Sequence, residues 1–338
     1  MGEARCDVWT DFGAMDIPDS YERPPAVVLG DALVDYVCKV DEMPMAGGDA
    51  QIRSCERRPG GAGLNASVCL ASLKVSCCLV TAVGDDENGR YLTRHLAAAG
   101  VDSSHIRSTG TTGYVISFAD SGGERTMFSY RGASSTPMEM TPALERALDH
   151  TPLLMVSGYC LQDDEQAKKC LNAAQRVRRT GGMVAFDPTP VVGRLAIGAV
   201  ERMLEATQVL LCNSRELQTL TGCEAVESGI RAILQRVPCI GVKLGRRGSI
   251  VALRRGTAAH WSPGDRSPDS AESEPEILRC PTRPVRAADT TGVGDAFNAG
   301  FLAALLYGSP LSSWGVWGNV VAAKVIMSRG VSRDAQVP

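Results

Sequence analysis

Asp289-Thr290-Thr291-Gly292-Val293-Gly294-Asp295 runs directly into Ala296-Phe297-Asn298-Ala299-Gly300-Phe301-Leu302-Ala303-Ala304-Leu305-Leu306-Tyr307-Gly308, and the reading of this stretch decides the fold. After Asp295 nearly every residue is apolar or small, which predicts a helix buried on all sides. Its first turn is glycine-rich, so backbone N–H groups lie bare there. The amino end of a buried helix facing a cleft is a ready anion site. Asp295 stands inside that first turn, where no capping role requires it. A carboxylate beside a phosphate-sized hole is unfavourable unless it has a task, such as accepting a proton. The plainer alternative is a turn and helix start with Asp289 or Thr290 as N-cap. Two glycines, a second acid and an all-round apolar helix together favour an active site.

Outward from that stretch, short apolar runs alternate with helical patterns. Strands are expected at Ala26–Leu29, continuing through Val34 and Val37, and at Cys78–Val83, Leu153–Val156, Val184–Phe186, Val209–Cys212 and Ile240–Leu244. Helices are expected near Leu64–Leu73, Gly89–Ala99, Glu165–Val177 and Ser214–Leu220. Continuous apolar strands separated by helices predict an α/β fold with a parallel sheet covered on both faces. Two stretches break the rhythm. Asp41–Pro59 is charged and mixed, and Gly113–Tyr130 alternates in strand fashion around a Ser121-Gly122-Gly123 turn. A small antiparallel sheet built from both and laid over the main sheet is the economical placement. Residues 1–24 are polar and aperiodic and read as a loose extension, and residues 256–280, rich in Pro and Ser, read as an exposed loop insertion near a hairpin.

The chain has 338 residues, a length that fits about two domains or one large α/β domain with an appendage. It carries 35 Lys and Arg against 38 Asp and Glu, a net charge of −3, so no broad basic surface points to nucleic acid. A 44% hydrophobic and 22% charged composition is that of an ordinary globular protein. No apolar run reaches the ~18 residues of a membrane span. The 12 cysteines are scattered, with no C-x-x-C pair, and the 4 histidines form no cluster with them, which argues against structural zinc. Cys69, Cys77, Cys78 and Cys212 sit inside apolar runs, where free cysteine behaves as a small core hydrophobe. A reducing, cytoplasmic compartment is expected.

A second glycine cluster, Pro59-Gly60-Gly61-Ala62-Gly63-Leu64-Asn65-Ala66, contains G-x-G-x-x-A, a formal match to the dinucleotide fingerprint. Its context fails, because Arg53, Glu56, Arg57 and Arg58 before it do not make a buried first strand. The other reading is that the glycines let a substrate approach the backbone, with Asn65 offering a two-sided amide. No G-x-x-x-x-G-K-[ST] loop occurs.

Taken together, these pieces resemble the ribokinase (pfkB) family of sugar and nucleoside kinases over residues 25–338. The resemblance rests on Gly30-Asp31-Ala32-Leu33-Val34-Asp35, on PGGAGLNAS at 59–67, and on Gly84-Asp85-Asp86-x-x-Gly89. It continues through Asn213-x-x-Glu216, VKLGRRGS at 242–249 and DTTGVGD at 289–295. Two departures are visible, Lys74 and Val293, each where the family usually has a small residue; neither removes a catalytic group.

The resemblance implies a ribokinase-like three-layer α/β/α fold with a central mostly parallel sheet and a small β-sheet lid from segments 36–59 and 110–135. It implies Asp295 as the base on the sugar hydroxyl, and Gly292, Val293 and Gly294 as the anion hole for the γ-phosphoryl. Asp31, Asp35, Gly60, Gly61, Asn65, Tyr114 and Arg131 would face the sugar. Asn213, Lys243, Gly245 and Asn319 would face ATP, Asn319 at adenine, and Glu216 would organise Mg²⁺ through water. Asp289 and Thr291, with Ser328, Gly330 and Asp334, resemble the family's monovalent-cation site, implying K⁺. The lid implies a homodimer. ATP and a small sugar are the implied partners, with neither nucleic acid nor membrane.

Free ribose is disfavoured within this resemblance, because Leu33 and Ala62 stand where ribokinases proper usually carry Asn and Lys. GDALVDYV, PGGAGLN and VKLGRRGS look closer to fructokinases and 2-keto-3-deoxygluconate kinases. Arg131 reads either as a group meeting a substrate carboxylate or as a solvated strand-end charge. A nucleoside (adenosine-type) kinase and a catalytically silent sugar-binding relative are the alternatives. A carboxylate at a positive helix end is expected to have a lowered pKa, which suits late acceptance of a proton from a hydroxyl it orients.

Overall fold

The computed structural model describes residues 25–120, 125–254, 257, 274–282, 285 and 291–327. In chain order its elements begin with β1 (Ala26–Leu29), β2 (Leu33–Val40), β3 (Ile52–Gly60), α1 (Ala62–Ser72), β4 (Cys77–Val83), α2 (Glu87–Ala98) and β5 (Ile106–Ser108). They continue with β6 (Tyr114–Ala119), β7 (Arg125–Tyr130), α3 (Pro142–His150), β8 (Leu153–Ser157), α4 (Asp164–Arg179), β9 (Met183–Asp187), α5 (Ile197–Ala206) and β10 (Val209–Asn213). The last are α6 (Ser214–Thr221), α7 (Val226–Ile233), β11 (Cys239–Lys243), β12 (Ser249–Leu253), β13 (Glu276–Cys280), α8 (Val293–Leu306) and α9 (Leu311–Met327).

Nine strands form one sheet in the order β13-β12-β11-β10-β9-β8-β1-β4-β5. All its pairings are parallel except β11–β12 and β12–β13. Side chains alternate across a strand, so each buried strand feeds two cores. Val28, Met155 and Leu211 enter one core with α1, α2, α8 and α9. Val27, Leu154 and Leu210 enter the other with α3 to α7. The three-layer arrangement follows, since both sheet faces are apolar and each needs a helical cover. The expected parallel strands fall within a residue or two of their observed bounds.

A second sheet, ordered β3-β2-β6-β7, stands apart from the first. The run holding Val34 and Val37 therefore does not continue the first strand: it is β2, in the other sheet. The expected small antiparallel sheet is antiparallel at β2–β3 and β6–β7 but parallel at its centre, β2–β6. The parallel centre arises because β2 and β6 are joined by a long crossover through β3, α1, β4, α2 and β5 rather than by a hairpin. The Ser121-Gly122-Gly123 turn and residues 1–24 lie outside the described residues. Of the expected loop insertion at 256–280, the end is strand rather than loop: Glu276–Cys280 closes the main sheet as β13, pairing Ile277 with Ala252 and Cys280 with Ser249. The polar composition hid it because β13 is an edge strand with one exposed face.

The glycine cluster opens α1, but the strand ahead of it is β3 of the small sheet rather than a central strand, so the dinucleotide context is absent. Two of its glycines serve chain packing. Gly61 takes φ +100 with the Asp31 carbonyl against it, and a Cβ on Gly63 would sit 2.6 Å from the Gly30 carbonyl carbon. Both neighbours are backbone, so nothing flexible can yield. Gly63→Ala should lower stability by about 1–3 kcal/mol, the usual cost of overpacking, read as a lower urea midpoint. An unchanged midpoint would show that the β1–α1 contact is looser than described.

Candidate active site

Parallel strands end together at one edge of a sheet, and ligands settle outside those carboxyl ends. Here that edge and the small sheet enclose a cleft of about 1180 Å³. Asp31 enters it after β1, Tyr159 after β8, and Asp187, Asn213 and Lys243 from the last residues of β9, β10 and β11. From the small sheet come Leu33, Asp35, Val37, Val115, Ser117, Met127 and Ser129. The amino end of α8 closes the cleft, bringing Gly292, Val293, Gly294 and Asp295 to its wall.

That amino end has the expected character. Gly292 caps α8 in the left-handed region, φ 74, with no side-chain cap. From Ala296 to Leu306 every residue is buried. The opening N–H groups of a helix lack intrahelical acceptors, so Val293, Gly294 and Asp295 present amides to the cleft. The Asp295 carboxyl accepts a 2.9 Å hydrogen bond from the Asn65 amide, which reaches across from α1.

The Asp295 pKa corrects the expectation. Burial is the largest influence and pushes it up to about 7; Asp187 and Asp31 add to the rise, while Asn65 and Lys243 oppose it. The helix end was expected to win, but a dry carboxyl loses more hydration than a half-charge restores. Asp295 is a stronger base than that expectation allowed, poised near neutral pH.

Behind it lies a network the sequence reading missed. Asp187 Oδ2 accepts from Asn298 Nδ2 and, at 3.3 Å, from Lys243 Nζ. Lys243 Nζ also donates to Asn298 Oδ1 at 3.1 Å. Burial alone would depress the Lys243 ammonium, but Asp187, Glu216 and Asp295 together hold it above its ordinary value. Asp187 has a signal, a carboxylate directly after the apolar run Val184-Ala185-Phe186, and the strand expected over Val184–Phe186 extends one residue further to include it. Thr189 has none: it lines the cleft with φ 56, a strained conformation for a β-branched residue, and its buried hydroxyl has no partner.

Asn213 and Glu216 form a capping box on α6. Asn213 Oδ1 accepts from the Glu216 amide at 2.9 Å, and Glu216 accepts from the Asn213 amide at 2.8 Å and from its side chain at 2.6 Å. Both line the cleft, yet their hydrogen bonds are largely spent on each other. Burial raises the Glu216 pKa against the pull of Lys243.

Other residues depart from their expected places. Tyr114 does not line the cleft; it packs against Tyr36 and Tyr130 on the other face of the small sheet, while its neighbour Val115 takes the inner position. A strand has period two, so a reading one residue off inverts the face. Gly60 does not line the cleft either; a Cβ there would strike the Asp35 carboxylate at 2.2 Å. Asn319 borders the cleft as expected, and its amide donates to the Cys280 carbonyl at 2.9 Å, tying α9 to β13. Arg131 is no solvated charge: Nη1 pairs with Asp31 Oδ2 at 2.9 Å, and the guanidinium lies 5.0 Å from the Tyr159 ring centre. Asp31 Oδ1 is buried without a partner. Asp35, Gly61, Asn65 and Gly245 line the cleft as expected, and Thr291, expected at a cation site, lines it too. Asp289, Ser328, Gly330 and Asp334 lie outside the described residues.

Comparison with known proteins bears on the family and the fold. The family model described as pfkB family carbohydrate kinase matches residues 24–337. The ATP-dependent ribose-1-phosphate kinase of Halopiger xanaduensis is 31% identical over 276 residues, 80% of this chain and 81% of that protein. The fructokinase of Klebsiella pneumoniae is 29% identical over 289 residues, 82% of this chain and 83% of that protein. The crystal structure of a ribokinase II from E. coli with ATP and Mg²⁺ superposes with a TM-score of 0.74 at 21% identity, covering 93% of this chain and 96% of that one. That likeness shows a shared ribokinase-like fold.

The raised carboxyl makes a stability prediction. Folded Asp295 binds its proton up to pH of about 7 and an unfolded Asp only to about 3.9, so the folded state loses stability as pH rises between those values. Asp295→Asn removes that loss. Its melting temperature relative to wild type should rise from pH 5 to pH 8. A difference independent of pH would mean that the carboxyl is not perturbed.

Proposed function

The chain belongs to the pfkB family of carbohydrate kinases, and on that premise we propose that Asp295 and the amino end of α8 transfer the γ-phosphoryl of ATP to a hydroxymethyl group of a small neutral sugar. The enzyme class is an ATP-dependent phosphotransferase with an alcohol acceptor. The observation that carries the residue assignment is the Asp295 carboxyl beside the bare first turn of α8, hydrogen-bonded by Asn65 and open to the cleft.

Phosphoryl transfer passes through a loose transition state, so catalysis is chiefly positioning and charge stabilisation. The amides of Val293, Gly294 and Asp295 meet negative charge where it develops; one such donor is worth about 10²–10³ in turnover. Asp295 orients the sugar hydroxyl and accepts its proton, and Asn65 fixes the carboxyl in place. Lys243, Gly245 and Asn213 are assigned to the nucleotide side of the cleft, with Lys243 held by Asp187 and Asn298. The small sheet is assigned as a lid that excludes water from the sugar and so prevents idle ATP hydrolysis.

Mg²⁺ fits as an ion carried in with the ATP phosphates. Such a hard ion keeps several waters and takes few protein ligands. Glu216 and Asp187 are the oxygen donors in reach of the nucleotide side, Glu216 through water because its oxygens already accept from Asn213. When bound, Mg²⁺ neutralises phosphate charge. K⁺ is assigned to Thr291 together with Asp289, Ser328, Gly330 and Asp334, the last four of which lie outside the described residues. The reading also includes a reducing, cytoplasmic setting, supported by buried free cysteines, and a homodimer through the lid, supported by the exposed Met127, Phe128 and Tyr130 of edge strand β7.

Charge favours a neutral sugar. The wall beneath the small sheet carries Asp31, Asp35 and Asp295 against the guanidinium of Arg131, itself paired with Asp31. A sugar acid would bring a fourth carboxylate.

Sugar-dependent ADP release across a panel tests the assignment. Fructose-like sugars should exceed free ribose, 2-keto-3-deoxygluconate and adenosine in kcat/KM, and Arg131→Met should raise the sugar KM with the ATP KM unchanged. Asp295→Asn should cut turnover at least ~10²-fold with sugar binding retained. The wild-type kcat/KM should fall on the acid side of pH of about 7, where Asp295 becomes protonated. Preference for the acid would overturn the neutral-sugar reading. Near-native turnover of Asp295→Asn would overturn the base.

A further inference from the structure

Away from the cleft, β2 and β3 bring two thiols together. Cys38 and Cys55 are direct register partners in this antiparallel pair, and their sulfurs stand 2.8 Å apart. Both cysteines are free. Opposite residues of an antiparallel ladder project to one face with Cβ atoms about 4.5–5.5 Å apart, close to what a disulfide spans. The ladder is also irregular beside the pair, where the register shifts between Lys39 and Val40, so small adjustments there disturb little. Reaching the roughly 2.05 Å of a disulfide bond requires only a small further approach.

Accessibility separates this pair from the other cysteines. Cys55 is exposed and Cys38 is buried beside it, whereas Cys160 and Cys170, also in contact, are both buried. An oxidant from solution therefore reaches one member of the first pair directly and neither member of the second. We propose that Cys38 and Cys55 form a reversible oxidation site, a vicinal dithiol that two-electron oxidants of the hydroperoxide class convert to an intrachain disulfide.

The chemistry balances with hydrogen peroxide. The Cys55 sulfur takes one peroxide oxygen as the O–O bond breaks, leaving a sulfenic acid and releasing water. The Cys38 sulfur then attacks the Cys55 sulfur, the S–O bond breaks, and that oxygen leaves with the Cys38 proton as a second water. Two thiols and one peroxide give one disulfide and two waters, the sulfurs losing two electrons and the peroxide gaining them. Burial and the hydrogen bond to Cys55 push the Cys38 thiol up to about 11, which agrees with Cys55 reacting first. Cys38 lies on the face of β2 opposite Asp35 and Val37, so the bridge leaves the cleft clear.

The test uses the full chain treated with hydrogen peroxide, then alkylated and analysed by intact mass and peptide mapping. The expected result is the loss of two hydrogens, a bridged peptide joining Cys38 to Cys55, and reversal by dithiothreitol. Cys55→Ser, at an exposed position, should abolish the bridge while keeping wild-type turnover before oxidation. Cys38→Ser should leave Cys55 to proceed to sulfinic acid. The wild-type map decides independently of either variant. Cys55 over-oxidised beside an intact Cys38, a bridge between two copies, or a bridge from Cys55 to any other cysteine would overturn the proposal.

Discussion

The candidate site turns on holding one carboxyl half-dry at the start of an apolar helix. Asp295 loses hydration in the cleft wall, and its pKa rises to about 7. Such a group is unfavourable in isolation, and the surrounding contacts can be understood as what makes it tolerable. Asn65 donates to it, and Lys243 lies within electrostatic reach from the end of β11. Lys243 in turn is kept charged by Asp187 and Glu216, and Asn298, one turn along α8 from Asp295, joins Lys243 to Asp187. The carboxyl is therefore tuned by residues from α1, β9, β11, α6 and α8.

The sheet explains how residues so distant in sequence meet. Asp187, Asn213 and Lys243 end three adjacent parallel strands, so their side chains arrive along one edge without any loop having to place them. The two faces of the sheet then divide the labour. Helices α1 and α8 pack on the same face, with Tyr307 donating to the Leu73 carbonyl at 2.7 Å, and that packing aligns Asn65 with Asp295. The opposite face, with α3 to α7, carries the support for the strands.

Much of this was legible in the sequence where the physical signal was strong and local. The continuous apolar strands, the apolar run after Asp295 and the glycine-rich turns marked the main sheet, α8 and α1. The small sheet was legible as a departure from that pattern, but not its parallel centre, which depends on the long crossover between β2 and β6. Position within an alternating strand is harder to read: the resemblance implies Tyr114 at the sugar, and only the observed structure puts Val115 on the cleft face instead. Long-range polar contacts were hidden. The Arg131–Asp31 pair joins residues far apart in the chain, and the amide of Asn319 is taken by Cys280 through the unpredicted strand β13. The rise of the Asp295 pKa is not legible in the sequence, because desolvation depends on tertiary burial, whereas the helix end can be read locally.

With Asp295 proposed to take the proton and the α8 amides to hold the phosphoryl, the phosphoryl would pass in one step from ATP to the sugar hydroxyl. The most direct measurement is the configuration of the transferred phosphorus, using ATP made chiral at the γ-phosphorus with oxygen isotopes. Direct in-line transfer predicts inversion in the sugar phosphate. Retention would mean that a protein group, with Asp295 the nearest candidate, carries the phosphoryl as a covalent intermediate, and that result would contradict the account.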